Sequence, residues 1–160
     1  MSTLALTRSD FSDKFANIQS YITPAALDLI NRSETLKEAV RRYQDDDKTA
    51  DAVLDTSKEP NAATHRPRRE GSGNEDFITV GKDTLGNSID LVRVLSHELG
   101  HHAVEGIDGI VTNGRNLAAA GRNFDALVDS CLLSEGYAAL ATARVAKELL
   151  DRGLTGADQF

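Results

Sequence analysis

Three of the four histidines in this chain fall within one short stretch, Val94-Leu95-Ser96-His97-Glu98-Leu99-Gly100-His101-His102-Ala103. On a helix, His97 and His101 stand one turn apart on one face, so both imidazoles can reach a single metal ion. Glu98 lies about 100° round the axis from His97. That puts its carboxylate beside the ion rather than on it, where it can handle the proton of a metal-bound water. The flanks are apolar: Ile89, Leu91, Val92, Val94 and Leu95 come before, and Leu99, Ala103 and Val104 lie within or after. A helix that is apolar nearly all round is a buried one. Burying two histidines and a glutamate is costly unless they are paired or metal-bound. The pattern therefore points to a catalytic Zn2+ site with one ion per chain. Hydrogen-bonded core histidines are the plainer alternative.

A hydrolytic zinc needs three protein ligands and one open position. Glu135 is the leading third ligand, because a carboxylate on the inner side of a long apolar helix needs a reason to be there. Its simpler reading is a first-turn acid that complements the helix dipole. Asp108 and Asp129 are the alternative third ligands, and Asp129 serves equally as a carboxylate orienting a histidine. His65 is a weaker candidate in a polar segment. His102 points about 100° away from His101 and cannot share its ion. It is a candidate for a group buried beside the site that orients its members and, with Tyr137, a candidate oxyanion donor. Tyr137 reads equally well as a packing residue.

His97-Glu98-Leu99-Gly100-His101 followed by Ser134-Glu135-Gly136-Tyr137-Ala138 resembles a gluzincin-type zinc metallopeptidase. In that group a glutamate from a downstream helix completes the His, His, Glu set, which implies His97, His101 and Glu135 here. The shortness of the chain and its lack of a signal narrow the resemblance. It looks like the compact metallopeptidase domains that bacteria deliver as effectors or carry as toxins at the ends of larger secreted proteins. The resemblance spans roughly residues 76 to 145. It implies a secreted endopeptidase with Glu98 as general base, a peptide or protein substrate, and a cognate immunity or inhibitor protein. Val104 and Ile107 exclude the elongated metzincin pattern, which needs Gly and then His or Asp there. Ala139 departs from thermolysin-like enzymes, which carry an acid at that position. Two rival readings stay open: a zinc hydrolase acting on cell-wall peptides, and a non-catalytic module in which zinc staples the fold.

The expected class is α+β, mostly helical and zincin-like, in one domain over residues 1–160. A helical part covers 1–55, a flexible loop 56–76 and the catalytic core 77–152. Ser9-Asp10 caps a helix carrying Phe11, Phe15, Ile18 and Ile22. Thr23-Pro24 starts a short second helix over Ala25 to Ile30. Ser33 starts a third from Glu34 towards Val53, with a break expected near Asp45-Asp46-Asp47. Phe77-Ile78-Thr79-Val80 is the clearest strand, with one or two more short strands nearby. It is expected as an edge strand preceding the motif helix, with a substrate peptide laid along its free edge. Asn87 or Ser88 caps the motif helix, which runs to about Val104. The C-terminal part reads as a helix through Leu127 to Leu132, then one from about Ser134 to Arg152, stopped by Gly153.

The net charge is −7, from 18 Lys and Arg against 25 Asp and Glu, which argues against nucleic acid as a partner. His65-Arg66-Pro67-Arg68-Arg69 reads as a solvated basic loop. Cys131 is alone, so no intrachain disulfide forms. No apolar run is long enough for a membrane span. The first residues lack a Sec signal peptide, so synthesis in the cytoplasm is expected, with export left to a specialised secretion system.

Overall fold

The computed structural model describes residues 4–11, 13–46, 49, 51–55, 63–66, 77–81, 84, 86–102, 114, 116, 118–119, 121, 124–157 and 160. Among the described residues four α-helices carry the fold: α1 (Pro24–Asn31), α2 (Glu34–Asp45), α3 (Ser88–His102) and α4 (Phe124–Asp151). A small sheet joins them, formed by β1 (Val53–Asp55), β2 (Ala63–Arg66) and β3 (Phe77–Gly81). The class is thus α+β and mostly helical. No helix among the described residues is long and apolar enough to cross a membrane.

The motif helix α3 lies at the centre and touches α1, α2, α4, β2 and β3. Its apolar residues Leu91, Val92, Leu95 and Leu99 are buried in one continuous core. Phe11, Phe15, Leu36, Tyr43, Ile78 and Leu149 complete that core from the surrounding elements.

The helix starts follow local chemistry. Thr23 Oγ1 accepts the Ala26 N–H at 3.1 Å, and Pro24 occupies the first turn of α1. Ser33 Oγ accepts the Leu36 N–H at 3.0 Å to open α2. Asn87 Oδ1 accepts the Ile89 N–H at 2.9 Å ahead of α3. At the far end of α4, Gly153 has φ +80°, a left-handed conformation that suits glycine. There the Gly153 N–H reaches the Leu150 carbonyl and the Leu154 N–H reaches Leu149, which closes the helix with a Schellman pair. α2 ends at Asp45, where the acidic run breaks its apolar stripe. The Lys14 ammonium caps that end through the carbonyls of Tyr43 and Asp46 and the Thr49 hydroxyl.

Several expected elements differ. The described residues between Arg8 and Tyr21 form two short 3-10 turns and further turns, not an α-helix. Phe11, Phe15, Ile18 and Ile22 are all buried as their spacing implies. The polar residues between them compete with helical hydrogen bonds. Asp10 Oδ2 takes both the N–H and the hydroxyl of Thr7, at 2.6 and 2.7 Å. Those bonds hold the Asp10 carboxyl below its ordinary pKa. Asn17 Nδ2 donates to the Ala52 carbonyl at 2.9 Å.

The expected third helix gives way to strand at Val53, and the expected loop over 56–76 contains β2. The strand order is β1-β3-β2, so β3 is central rather than an edge strand. β1 runs parallel to it, with Val53 opposite Thr79. β2 runs antiparallel, with Thr64 opposite Thr79. β1 covers Thr79–Gly81 on one side and β2 covers Phe77–Val80 on the other, so the strand keeps no full edge for a substrate peptide. A buried apolar run fits a central strand better than an edge. The two expected C-terminal helices form one continuous helix, α4. Ser134 does not start a new helix, and Gly136 inside it costs about 1 kcal/mol, which packing of α4 on the core outweighs.

One long-range clamp fixes α4 against α2. Glu148 accepts the Ser33 hydroxyl at 2.6 Å, the Thr35 hydroxyl at 2.7 Å and the Thr35 N–H at 3.2 Å. The carboxylate also sits at the positive end of α2. Glu148→Ala is expected to lower unfolding free energy by about 2 kcal/mol, since it orphans a buried hydroxyl and a first-turn donor. Glu148→Gln should recover part of that loss; paired urea titrations check both.

Candidate metal centre

The site rests on two helices. Within α3, His97 and His101 lie four residues apart, with ring centroids 5.0 Å apart and planes at 89°. Their neighbours Leu95 and Leu99 are fully or almost fully buried, which fixes the rotation of the helix about its axis. His97 is half-buried, and the His101 side chain is only 8% exposed.

α4 brings Glu135 across from them. Its Oε2 lies 3.4 Å from His97 Nε2 and its Oε1 lies 3.7 Å from His101 Nε2. One ligand atom from each of the three residues falls within 4.8 Å of the others. These separations are long for hydrogen bonds. A tetrahedral zinc with bonds of about 2.0–2.2 Å holds its ligand atoms about 3.4 Å apart. The donor set, two imidazoles and a carboxylate, also fits that ion. The residues present therefore fit a three-ligand zinc site.

Two features hold this geometry. Ser134 Oγ lies 2.9 Å from His101 Nδ1. In the tautomer with Nδ1 protonated, Nδ1–H donates to that hydroxyl and leaves the Nε2 lone pair facing Glu135. The second feature is Gly100. A Cβ there would lie 2.8 Å from Ala141 Cβ and 2.9 Å from Ala138 Cα, closer than real side chains pack. Gly100 sits between the two histidines, and Ala138 lies one turn after Glu135. The absent side chain is what lets the two helices approach closely enough for Glu135 to meet both imidazoles.

Glu98 is 4% exposed and lies on the inner side of α3. His102 takes a different course from the cluster. Its Nε2 lies 3.4 Å from Asp46 Oδ2, and its ring meets Tyr43 edge-on at 5.4 Å. The structure thus places it against α2, because it stands one position, about 100°, beyond His101. Asp129 is exposed on α4 about 120° round from Glu135, and Tyr137 is about 200° round from it. Neither shares the face that carries Glu135. Asp108 lies outside the described residues. His65 is in β2, with its backbone opposite Ile78. Sequence reasoning missed Ser134, whose only signal is a hydroxyl directly before the ligand candidate. It also read Gly100 as part of a motif rather than as a packing requirement.

Comparison with protein-family models, with curated proteins and with solved structures gives no match to this chain.

Gly100→Ala should preserve helix content, since alanine is the better helix former. It is expected to weaken zinc binding about tenfold or more by pushing α4 away from the histidines. Ser134→Ala should weaken it by a similar factor while Ser134→Thr retains binding. Competition titration with a zinc chelator, beside a circular dichroism spectrum, measures both.

Proposed function

We propose that this chain is a zinc-dependent endopeptidase of the gluzincin type, with His97, His101 and Glu135 as the metal ligands. The observation that carries this reading is the convergence of His97, His101 and Glu135, one ligand atom of each within 4.8 Å of the others, with the buried Glu98 on the same helix as the two histidines. When bound, a zinc ion polarises a carbonyl and lowers the pKa of a coordinated water towards neutrality. The Glu98 carboxylate takes the proton of the attacking water and returns it to the leaving amine. The Ser134 hydroxyl holds His101 in the ligating tautomer.

Exposure favours a catalytic site over a folding staple. The Glu135 side chain is 63% exposed and His97 is half-buried. The ligand face therefore opens to solvent and leaves room for a substrate carbonyl. A purely structural zinc site is closed by a fourth protein ligand. The three-member cluster is the one such group among the described residues. Substrate enters this reading as a peptide held across the open face of α3 and α4, since β3 lies between two strands.

We further propose a role as a secreted bacterial effector or toxin, neutralised in its own cell by a dedicated inhibitor protein. This rests on the motif resemblance.

The test uses the purified chain with one equivalent of zinc, a denatured-protein substrate pool and purified cell-wall peptides, read by mass spectrometry. Cleavage of the protein pool is expected, lost with a chelator and restored by zinc. Glu98→Gln should keep the metal and lower the rate about 10²–10⁴-fold. Equal rates in wild type and Glu98→Gln would overturn the mechanism, and cleavage of the cell-wall peptides alone would redirect the substrate assignment. Growth of cells expressing each form tests the toxin role, which fails if both forms are harmless in cytoplasm and periplasm alike.

A further inference from the structure

The outward face of α4 remote from Glu135 has its own pattern. Asp129, Leu133, Gly136, Tyr137, Leu140 and Arg144 are all exposed there. Leu133 is 43%, Tyr137 37% and Leu140 45% exposed. Isolated exposed leucines are ordinary. These are not isolated, because 133, 137 and 140 are spaced four and three apart, which sets Leu133, Tyr137 and Leu140 side by side on one face of the helix.

The order of the residues is also palindromic. Asp129 stands four residues before Leu133, and Leu140 stands four before Arg144, with Gly136-Tyr137 between. An antiparallel two-fold pair with its axis between Gly136 and Tyr137 sets Leu133 against Leu140 of the partner subunit. The same operation sets Gly136 against Tyr137 of the partner subunit and Asp129 against Arg144 of the partner subunit. Each contact occurs twice, as an isologous interface requires. A Cβ at Gly136 would meet nothing within 4 Å, so that position is an open notch that can accept a tyrosine ring. Among the described residues, neither Asp129 nor Arg144 makes an ion pair within the chain.

We infer that the chain pairs with a second copy of itself through this face of α4, as an antiparallel homodimer. Charge complementarity selects a second copy over an unrelated partner, because acid and base lie at equal distances from one centre. The face lies about 150° round α4 from Glu135, so pairing leaves the metal-binding side open. The inference does not depend on the hydrolase reading.

Sedimentation velocity of the full chain at about 50 µM and low salt tests it. A dimer mass that falls on dilution is expected. Asp129→Arg and Arg144→Asp, made singly, each set like charges against one another and should raise the dissociation constant about tenfold or more. Mixing those two variants restores opposite charges at both contacts, so a one-to-one heterodimer should form. The double variant should dimerise like the wild type. All positions changed are exposed, and helical circular dichroism checks that each variant is folded. A wild type that stays monomeric at this concentration overturns the inference. So does a dimer indifferent to both reversals and to Leu140→Glu, or a pair of single variants that fail to associate on mixing.

Discussion

The contact between α3 and α4 at Gly100 governs the site. Two helices with ordinary side chains pack with axes 8–10 Å apart. A glycine facing Ala138 and Ala141 permits a closer approach, and only a short distance lets a glutamate on one helix meet two imidazoles on the other. A second anchor holds α4 in place. Glu148 binds the start of α2, ten residues or about 15 Å further along α4 than Ala138. Two anchors on one rigid helix fix both its rotation and its displacement along its axis. The position of Glu135 is then determined by packing and by a hydrogen-bonded clamp, neither of which involves His97, His101 or Glu135 itself.

The same arrangement explains why His101 and His102, adjacent in sequence, have different roles. His101 faces α4 and its Nδ1 meets Ser134. His102 faces α2, where Tyr43 and Asp46 receive it. Tyr43 in turn stacks near Phe15 and its hydroxyl accepts the Ile78 N–H at 3.2 Å. One residue thus ties α2 to the N-terminal turns, to the central strand and to the motif helix. His102 belongs to this structural group and anchors the end of α3 that carries His101.

Features written in a few consecutive residues were readable in advance. The caps at Thr23, Ser33 and Asn87, the stop at Gly153 and the one-turn pairing of His97 with His101 all depend on near neighbours. Glu135 was singled out as a carboxylate on the inner side of its helix, but its side chain is 63% exposed, so burial does not call for a partner there and only its position opposite His97 and His101 marks it. The sheet was not readable. β1 and β2 are short, lie on either side of β3, and owe their conformation to pairing with a strand far along the chain. Whether Phe77–Gly81 is central or marginal depends on those partners and not on its own residues. The turns at Arg8 to Tyr21 failed for a related reason. Helical spacing of Phe11, Phe15, Ile18 and Ile22 records which residues go inward, and a chain of tight turns satisfies the same record. Ser134 and Gly100 were hidden because their roles exist only once two helices are brought together.

Apolar content alone misleads for α4 in an instructive way. α3 and α4 are both rich in alanine or aliphatic residues, yet α3 is enclosed on most sides and α4 keeps Phe124, Leu132, Leu133 and Leu140 exposed. The difference lies in position. α3 is contacted by five elements, whereas α4 lies at the rim and turns only its Ser130, Ala138, Val145 and Leu149 face fully inward. A central helix can spend its small surface on ligands because its neighbours hold it from every direction. A rim helix must be held from one side, and this one is held by a close-packed stripe of small residues and by a carboxylate clamp. That one-sided grip leaves the Glu135 flank accessible. A fully enclosed α4 would have given a tidier core and a closed site.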